Sequence, residues 1–234
     1  MSGGLRLYAV GDIHGRADLL AAMHGLIGAD SVGGGGRRAV VYLGDYIDRG
    51  PRSCAVIEML VAEPLEGFQA VHLKGNHEDL LIQFLDGPSP GDTWLANGGM
   101  ATLESYGIDF SVAAAAGDYP ESLRQDLLGA LPASHLDFLR ALKPFHAVGD
   151  YFFAHAGVRP GVPLEEQDEF DLMWIRGAFL AWRDDFSKMV VHGHSIVFDP
   201  QVRPNRIGID TGAYRTGTLT CLVLEGEERR FLQT

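Results

Sequence analysis

Apolar residues fall in short runs, and the residues that end several of these runs are Gly, Asp, Asn and His. Residues 5–10 lead into "GDIHG", 39–43 into "GDYIDRG", and 68–73 into "KGNHE". Residues 151–154 lead into "HAG", 189–191 into "HGHS", and 207–209 into "DTGA", while 219–224 read as a last strand. Runs of this length bounded by turn formers predict strands. Residues 17–27 and 53–61 carry apolar positions three and four apart and predict helices between the early strands. Strand–helix alternation predicts an α/β fold. The late strands, with little helix between them, predict an antiparallel part.

Residues 80–145 follow another pattern. They hold Trp94, the turn-rich "DGPSPGD", an alanine run at 113–116, and helical periodicity at 121–130 and 134–142. No polar linker isolates them, so the expectation is one domain over 1–234 with a mainly helical insertion or flank at about 80–145. The glycines at 33–36 lack the Lys-Ser/Thr of a P-loop and read as a surface loop.

The chain has 234 residues, 46% hydrophobic and 21% charged, the proportions of an ordinary globular protein with a substantial core. No apolar run approaches the ~18 residues of a membrane span. The N-terminus lacks the pattern of a secretory signal, and two cysteines, Cys54 and Cys221, suit free thiols in a reducing compartment. The expected location is the cytoplasm, with no membrane partner. A net charge of −12 argues against a nucleic-acid partner. It leaves room for an anionic substrate, because a metal ion or a few arginines can reverse the potential locally.

Ligand sites in α/β sheets form at the carboxyl ends of strands, so polar clusters distant in sequence can converge there. The candidates are Asp12, His14, Asp45, Asp48, Asn76, His77, His155, His192 and His194. Imidazole, carboxylate and one amide, without thiolate, suit manganese, iron or zinc. A pair of such ions would neutralise the crowded aspartates, and one aspartate could bridge both.

"GDIHG", "GDYIDRG", "GNHE", "HAG" and "HGHS" stand in the order of the phosphoprotein phosphatase family of calcineurin-like metallophosphoesterases, and the chain most resembles its compact bacterial and phage-type members. The resemblance implies a β-sandwich of mixed sheets flanked by helices, with the active site at strand C-terminal ends. It implies two divalent metals, manganese first, with iron or zinc as alternatives. Asp12 and His14 resemble ligands of one metal, Asp45 the bridging carboxylate, and Asn76, His155 and His194 ligands of the other. Asp48 and His77 resemble an acid pair at the leaving-group oxygen. Arg49 resembles a phosphate-binding arginine, Arg176 in "DLMWIRG" a second on a shorter match, and the resemblance implies that Asn76 also faces substrate. The implied reaction is direct attack on a phosphomonoester by a hydroxide bridging the metals.

Other polar residues take plainer readings. His24, His72, His135 and His146 are read as packing residues, His192 as a neighbour of the ligands, and Asp109 and Asp118 as loop residues. Asp210 reads equally as a turn former or a site residue. Tyr214 and Arg215 are rim candidates, "WLANGG" is either rim or helix end, and Trp174 reads as packing. The function expected is a serine/threonine protein phosphatase acting on phosphorylated proteins or peptides, with phosphotyrosine activity in view. The alternatives are a symmetrical dinucleoside tetraphosphatase or related nucleotide hydrolase, and an inactive binding scaffold. Asp48 and the Glu of "GNHE" favour the first.

Overall fold

A computed structural model describes residues 4–32, 36–62, 64–87, 91–111 and 119–234. The glycines at 33–35, the run 113–116 and Asp118 lie outside them.

Among the described residues, ten strands form two five-stranded sheets. The first runs β10-β9-β1-β2-β3, with β1 (Leu5–Val10), β2 (Arg37–Tyr42), β3 (Gln69–His72), β9 (Thr220–Glu225) and β10 (Glu228–Gln233). The second runs β4-β5-β6-β8-β7, with β4 (Phe145–Val148), β5 (Tyr151–Ala154), β6 (Met189–His192), β7 (Gln201–Val202) and β8 (Arg206–Gly208). In each sheet three strands are parallel, β1-β2-β3 and β5-β6-β8, and antiparallel strands complete it. Mixed sheets flanked by helices are the fold class that the sequence led us to expect.

The two-residue period of the strands explains the layering. Leu7 and Ala9 of β1, Ala39 and Val41 of β2, and Leu222 and Leu224 of β9 meet Phe153, Val191 and Ile207 of the second sheet in one buried cluster. The alternate residues Tyr8, Val10, Val40, Tyr42, Cys221 and Val223 face outward onto helices α1 (Ala17–Asp30), α2 (Ser53–Ala62) and α3 (Asn76–Asp86). Phe152, Ala154 and Val190 cover the far face of the second sheet with Leu172, Ile175 and Phe179. Strands buried on both faces read as continuous apolar runs, which is how the sequence writes them.

The helices expected at 17–27 and 53–61 are α1 and α2, each slightly longer. Between β3 and β4 lie α3 and helices Met100–Ser105, Glu121–Ala130 and Ala133–Arg140. Three strands, β4, β7 and β10, had no signal in the apolar pattern. β4 carries His146 between half-buried and exposed neighbours, and β10 begins Glu228-Arg229-Arg230 on an edge of the first sheet.

Candidate metal centre and active site

The parallel strands of both sheets deliver their C-terminal ends to one place: β1 leads to Asp12 and His14, β2 to Asp45, β3 to Asn76, β5 to His155 and β6 to His194. All six are buried. The turns that carry them are tight. Of the six non-glycine residues with positive φ among the described residues, five belong here: His14 (46°), Asp45 (52°), Asp48 (68°), Arg49 (67°) and His194 (60°). Left-handed backbone at such residues costs on the order of 1 kcal/mol each, and such strain gathers at functional sites. Two motif glycines make room for carboxylates. A Cβ on Gly75 would lie 2.1 Å from Asp45 Oδ1, and one on Gly193 would lie 2.0 Å from Asp12 Oδ1.

Asp45 stands at the centre. Its Oδ2 lies 3.4 Å from His14 Nε2 and 3.9 Å from His77 Nε2, while its Oδ1 lies 3.4 Å from His155 Nε2. Two triplets of potential ligand atoms result, His14–Asp45–His77 and Asp45–His155–His194, with Asp45 common to both. Asp12 is in neither. Its Oδ2 accepts a hydrogen bond from His194 N at 2.9 Å, and its Oδ1 has no partner among the described residues.

The imidazoles are oriented by backbone. His14 Nδ1–H donates to Ile47 O at 2.8 Å and His155 Nδ1–H to Leu43 O at 2.9 Å, which turns both Nε2 lone pairs inward. Burial pushes the His14 imidazole down to about 3 and His194 to about 2, and lowers His155, so all three are neutral. His155 Nε2 then faces Asp45 Oδ1 and, at 3.0 Å, Asn76 Oδ1. Three acceptors that face one another with no hydrogen between them call for a cation. His194 Nε2 is also buried without a partner. Nitrogen and oxygen donors of this kind fit manganese, iron or zinc. Burial raises the Asp45 carboxyl, yet it lies below the usual range among its imidazole neighbours, of which His77 is the one raised toward the charged form.

Glu78 shapes the centre without entering it. Its carboxylate accepts backbone N–H groups from Gly75 (3.0 Å), Asp45 (2.9 Å), Tyr46 (2.8 Å) and Ile47 (3.3 Å), clamping the "GDYIDRG" turn onto the start of α3. Burial and Asp45 push its carboxyl up to about 8.

Asp48 and His77 form a second buried pair, with Nδ1 to Oδ2 at 2.7 Å. Asp48 also accepts from Trp94 Nε1 at 3.0 Å and Thr102 Oγ1 at 2.6 Å. Burial lowers the His77 imidazole, but Asp45 and the Asp48 hydrogen bond outweigh it and leave His77 raised. Its Nε2 has no hydrogen-bond partner. Trp94 therefore lies beneath the site, and "WLANGG" continues as a helical turn that breaks at Gly98, whose carbonyl accepts from Arg49 N.

The Arg49 guanidinium lies over the Tyr214 ring at 5.0 Å, with Nη1 3.3 Å from His14 Nε2. Arg176 is exposed, yet close enough for its charge to lower His155 and His194. Tyr214 stands edge-on to His14 at 5.3 Å. Asp210 forms the turn bond, accepting from Gly212 N at 2.8 Å, and lies close enough to Asp12 for its charge to help raise that carboxyl, after burial. His192 is buried against Phe179 and outside both triplets. His24 pairs with Tyr42, His72 stacks on Tyr42, and His135 bonds Glu58 and Tyr106, all away from the centre. Sequence reasoning gave no role to Thr102 or Trp94 at Asp48, and none to Glu78 as a clamp. "GNHE" flagged Glu78 as distinctive; nothing flagged Thr102.

A family model for calcineurin-like phosphoesterases matches residues 5–215. The asymmetrical bis(5'-nucleosyl)-tetraphosphatase PrpE of Oceanobacillus iheyensis is 26% identical, over 92% of this chain and 87% of its own. Serine/threonine-protein phosphatase 2 of Escherichia coli is 28% identical, over 92% and 90%. The solved structure of a candidate diadenosine tetraphosphatase superposes with a TM-score of 0.68 at 22% identity, over 99% and 95%, a likeness of fold.

Proposed function

The chain belongs to the calcineurin-like phosphoesterase family, and we propose that it is a phosphomonoesterase that removes phosphate from serine and threonine side chains of proteins or peptides. The observation that carries this reading is the fully buried His77–Asp48 pair, 2.7 Å apart, whose outward nitrogen lacks a partner. A serine or threonine alkoxide is a poor leaving group, and a positioned acid contributes ~10²–10⁴-fold to its departure. A phosphoanhydride needs that help less.

Asp12, His14 and Asp45 would hold one divalent ion, and Asp45, Asn76, His155 and His194 the other, with manganese the first choice. Such a pair supplies water ionised near neutral pH and positive charge against the phosphoryl oxygens. The chain's own side chains do the rest. Arg49 and Arg176 would grip phosphate oxygens through paired N–H donors, with Asn76 beside them. Asp48 would hold His77 protonated and aimed, and His77 Nε2 would give its proton to the leaving oxygen. Glu78 would keep Asp45 in place.

A second reading, hydrolysis of a dinucleoside tetraphosphate, draws support from the name of the Oceanobacillus relative, although that name is for asymmetrical cleavage and the sequence pointed to symmetrical. The deciding experiment compares, with manganese, a phosphoserine peptide, a phosphotyrosine peptide and diadenosine tetraphosphate. The highest kcat/KM on the phosphoserine peptide is expected. A preference of more than tenfold for the dinucleotide would replace the first reading with the second. Absence of bound metal together with no turnover of p-nitrophenyl phosphate would leave a binding scaffold.

A further inference from the structure

An aromatic pair stands at the edge of the centre. Phe170 and Trp174, one helical turn apart in helix Glu169–Trp174, stack with centroids 6.0 Å apart and 19° between planes. Trp174 in turn stands edge-on to His194 at 6.4 Å. Phe170 is 63% exposed, so one end of this ladder of rings touches a candidate metal ligand and the other opens to solvent.

The helix that carries the pair is pinned. Asp168 caps it by accepting from Phe170 N at 2.8 Å, Ala156 N donates to Leu172 O at 2.7 Å, and Arg159 Nη2 donates to Asp171 Oδ1 at 2.6 Å. The Trp174 indole N–H meets no acceptor among the described residues, so ring contacts and not a hydrogen bond seat the indole. Arg176 follows two residues on, exposed and within electrostatic reach of His194. One exposed Phe is ordinary. An exposed Phe stacked on a Trp that packs edge-on against a candidate metal ligand, on a fixed helix beside a guanidinium, has the parts of a base-stacking shelf.

We propose that Phe170 and Trp174 form a stacking shelf for a nucleobase carried by a phosphate compound whose phosphate occupies the metal centre. The inference rests on the reading of that centre as a phosphoesterase site and adds a class of compound it accommodates. Reach favours a base over a tyrosyl ring. The open face belongs to the second ring out from His194, whereas a tyrosyl ring is joined directly to its phosphoryl oxygen and stays near the metal ligands. A base joined through a ribose spans further.

Binding and turnover test this separately. In equilibrium dialysis of the manganese-loaded protein, AMP is expected to bind roughly 5- to 100-fold more tightly than ribose 5-phosphate, which lacks only the base. Phe170→Ala should remove that preference, and Phe170→Trp should restore it. In turnover, Phe170→Ala should raise KM for diadenosine tetraphosphate by the same factor with kcat within about twofold, and leave a phosphoserine peptide unchanged. Equal affinity of the wild type for AMP and ribose 5-phosphate would overturn the shelf. So would a loss confined to a phosphotyrosine peptide, or equal losses on all three substrates. If hydrolysis fails while AMP binds with its base preference, the catalytic reading falls and the shelf stands.

Discussion

His77 Nδ1 lies 2.7 Å from Asp48 Oδ2, and neither side chain has any exposure to solvent. A buried carboxylate beside a buried imidazole is destabilising unless the two share a proton and further donors satisfy the remaining oxygen valences. Here Trp94 and Thr102 supply those donors. The bond uses Nδ1 and leaves Nε2 free, beside the Asp45 carboxylate at 3.9 Å.

An acid role for His77 makes a leaving-group prediction. His77→Asn should lower kcat on a phosphoserine peptide by ~10²–10⁴-fold, and far less on p-nitrophenyl phosphate, whose phenolate departs without a proton. Metal content, measured by elemental analysis, should stay near that of the wild type. Because His77 Nε2 also shares a triplet with His14 and Asp45, loss of one metal would instead mark it as a ligand.

Trp94→Phe isolates the support of the pair. The phenyl ring can keep the stack on Phe84, now at 5.2 Å, but removes the N–H that reaches both Asp48 oxygens. A hydrogen bond to a buried charge contributes about 1.5–3 kcal/mol, and a loss of that size in urea unfolding is expected. Turnover of alkyl phosphates should fall more than turnover of p-nitrophenyl phosphate, because the orientation of His77 is what loosens.

Glu78→Gln tests the clamp. The amide keeps one acceptor oxygen, while its NH2 would face N–H donors where Glu78 now accepts. At ~1–3 kcal/mol for each buried donor left unpaired, destabilisation of roughly 2–4 kcal/mol is expected, with weaker metal retention because Asp45 N is among those donors. Glu78→Asp keeps the carboxyl group, but its side chain is one methylene shorter and should lie between wild type and Gln in both measurements.

What the sequence made legible is what strands and strand ends write locally. β1, β2, β5 and β6 are apolar runs because both faces are buried, and the turns after them need Gly beside Asp and His, so each motif sits within a few residues of its strand. β10 escaped because an edge strand with Arg229 and Arg230 has no run to read. The bond from Thr102 to Asp48 spans 54 positions and exists only because Met100–Ser105 packs against α2. Asp210 stayed ambiguous because its turn bond to Gly212 and its place beside Asp12 demand the same residue. Trp174, read as packing, does pack on His194, while the open stack with Phe170 has no local signature.

Acid sensitivity should come partly from outside the centre. His24 bonds the Tyr42 hydroxyl at 2.8 Å and His72 stacks on the same ring, and burial pushes each imidazole down to about 4. The unfolded chain protonates both near 6.5. Above that pH neither form is charged and stability is unaffected. From about 6.5 down to about 4 the unfolded state gains protons that the folded state refuses, so stability falls as pH falls. His72→Phe keeps an aromatic ring on Tyr42 and should flatten the decline in urea midpoint between pH 7 and pH 5. An unchanged slope would show that His72 does not titrate in this way.

Asp45→Asn probes the centre itself. Asp45 already has left-handed backbone, φ 52°, which Asn tolerates, so the turn should survive. The carboxylate now sends one oxygen toward His155 and the other toward His14, whereas the amide offers an oxygen to one side only and an NH2 to the other. Without metal, the Asp45 carboxyl lies below its usual range, so the folded state favours the ionised side chain and the apo variant should melt below apo wild type. With manganese the gap should widen. A ligand that binds only the folded state raises stability by RT ln(1 + [L]/Kd), and a loss of at least about tenfold in affinity at each site would shrink the manganese-induced rise in Tm. Thermal melts over a manganese titration, paired with metal content per chain, read both effects. Two ions retained per chain with an undiminished rise in Tm would remove Asp45 from its shared position between the sites.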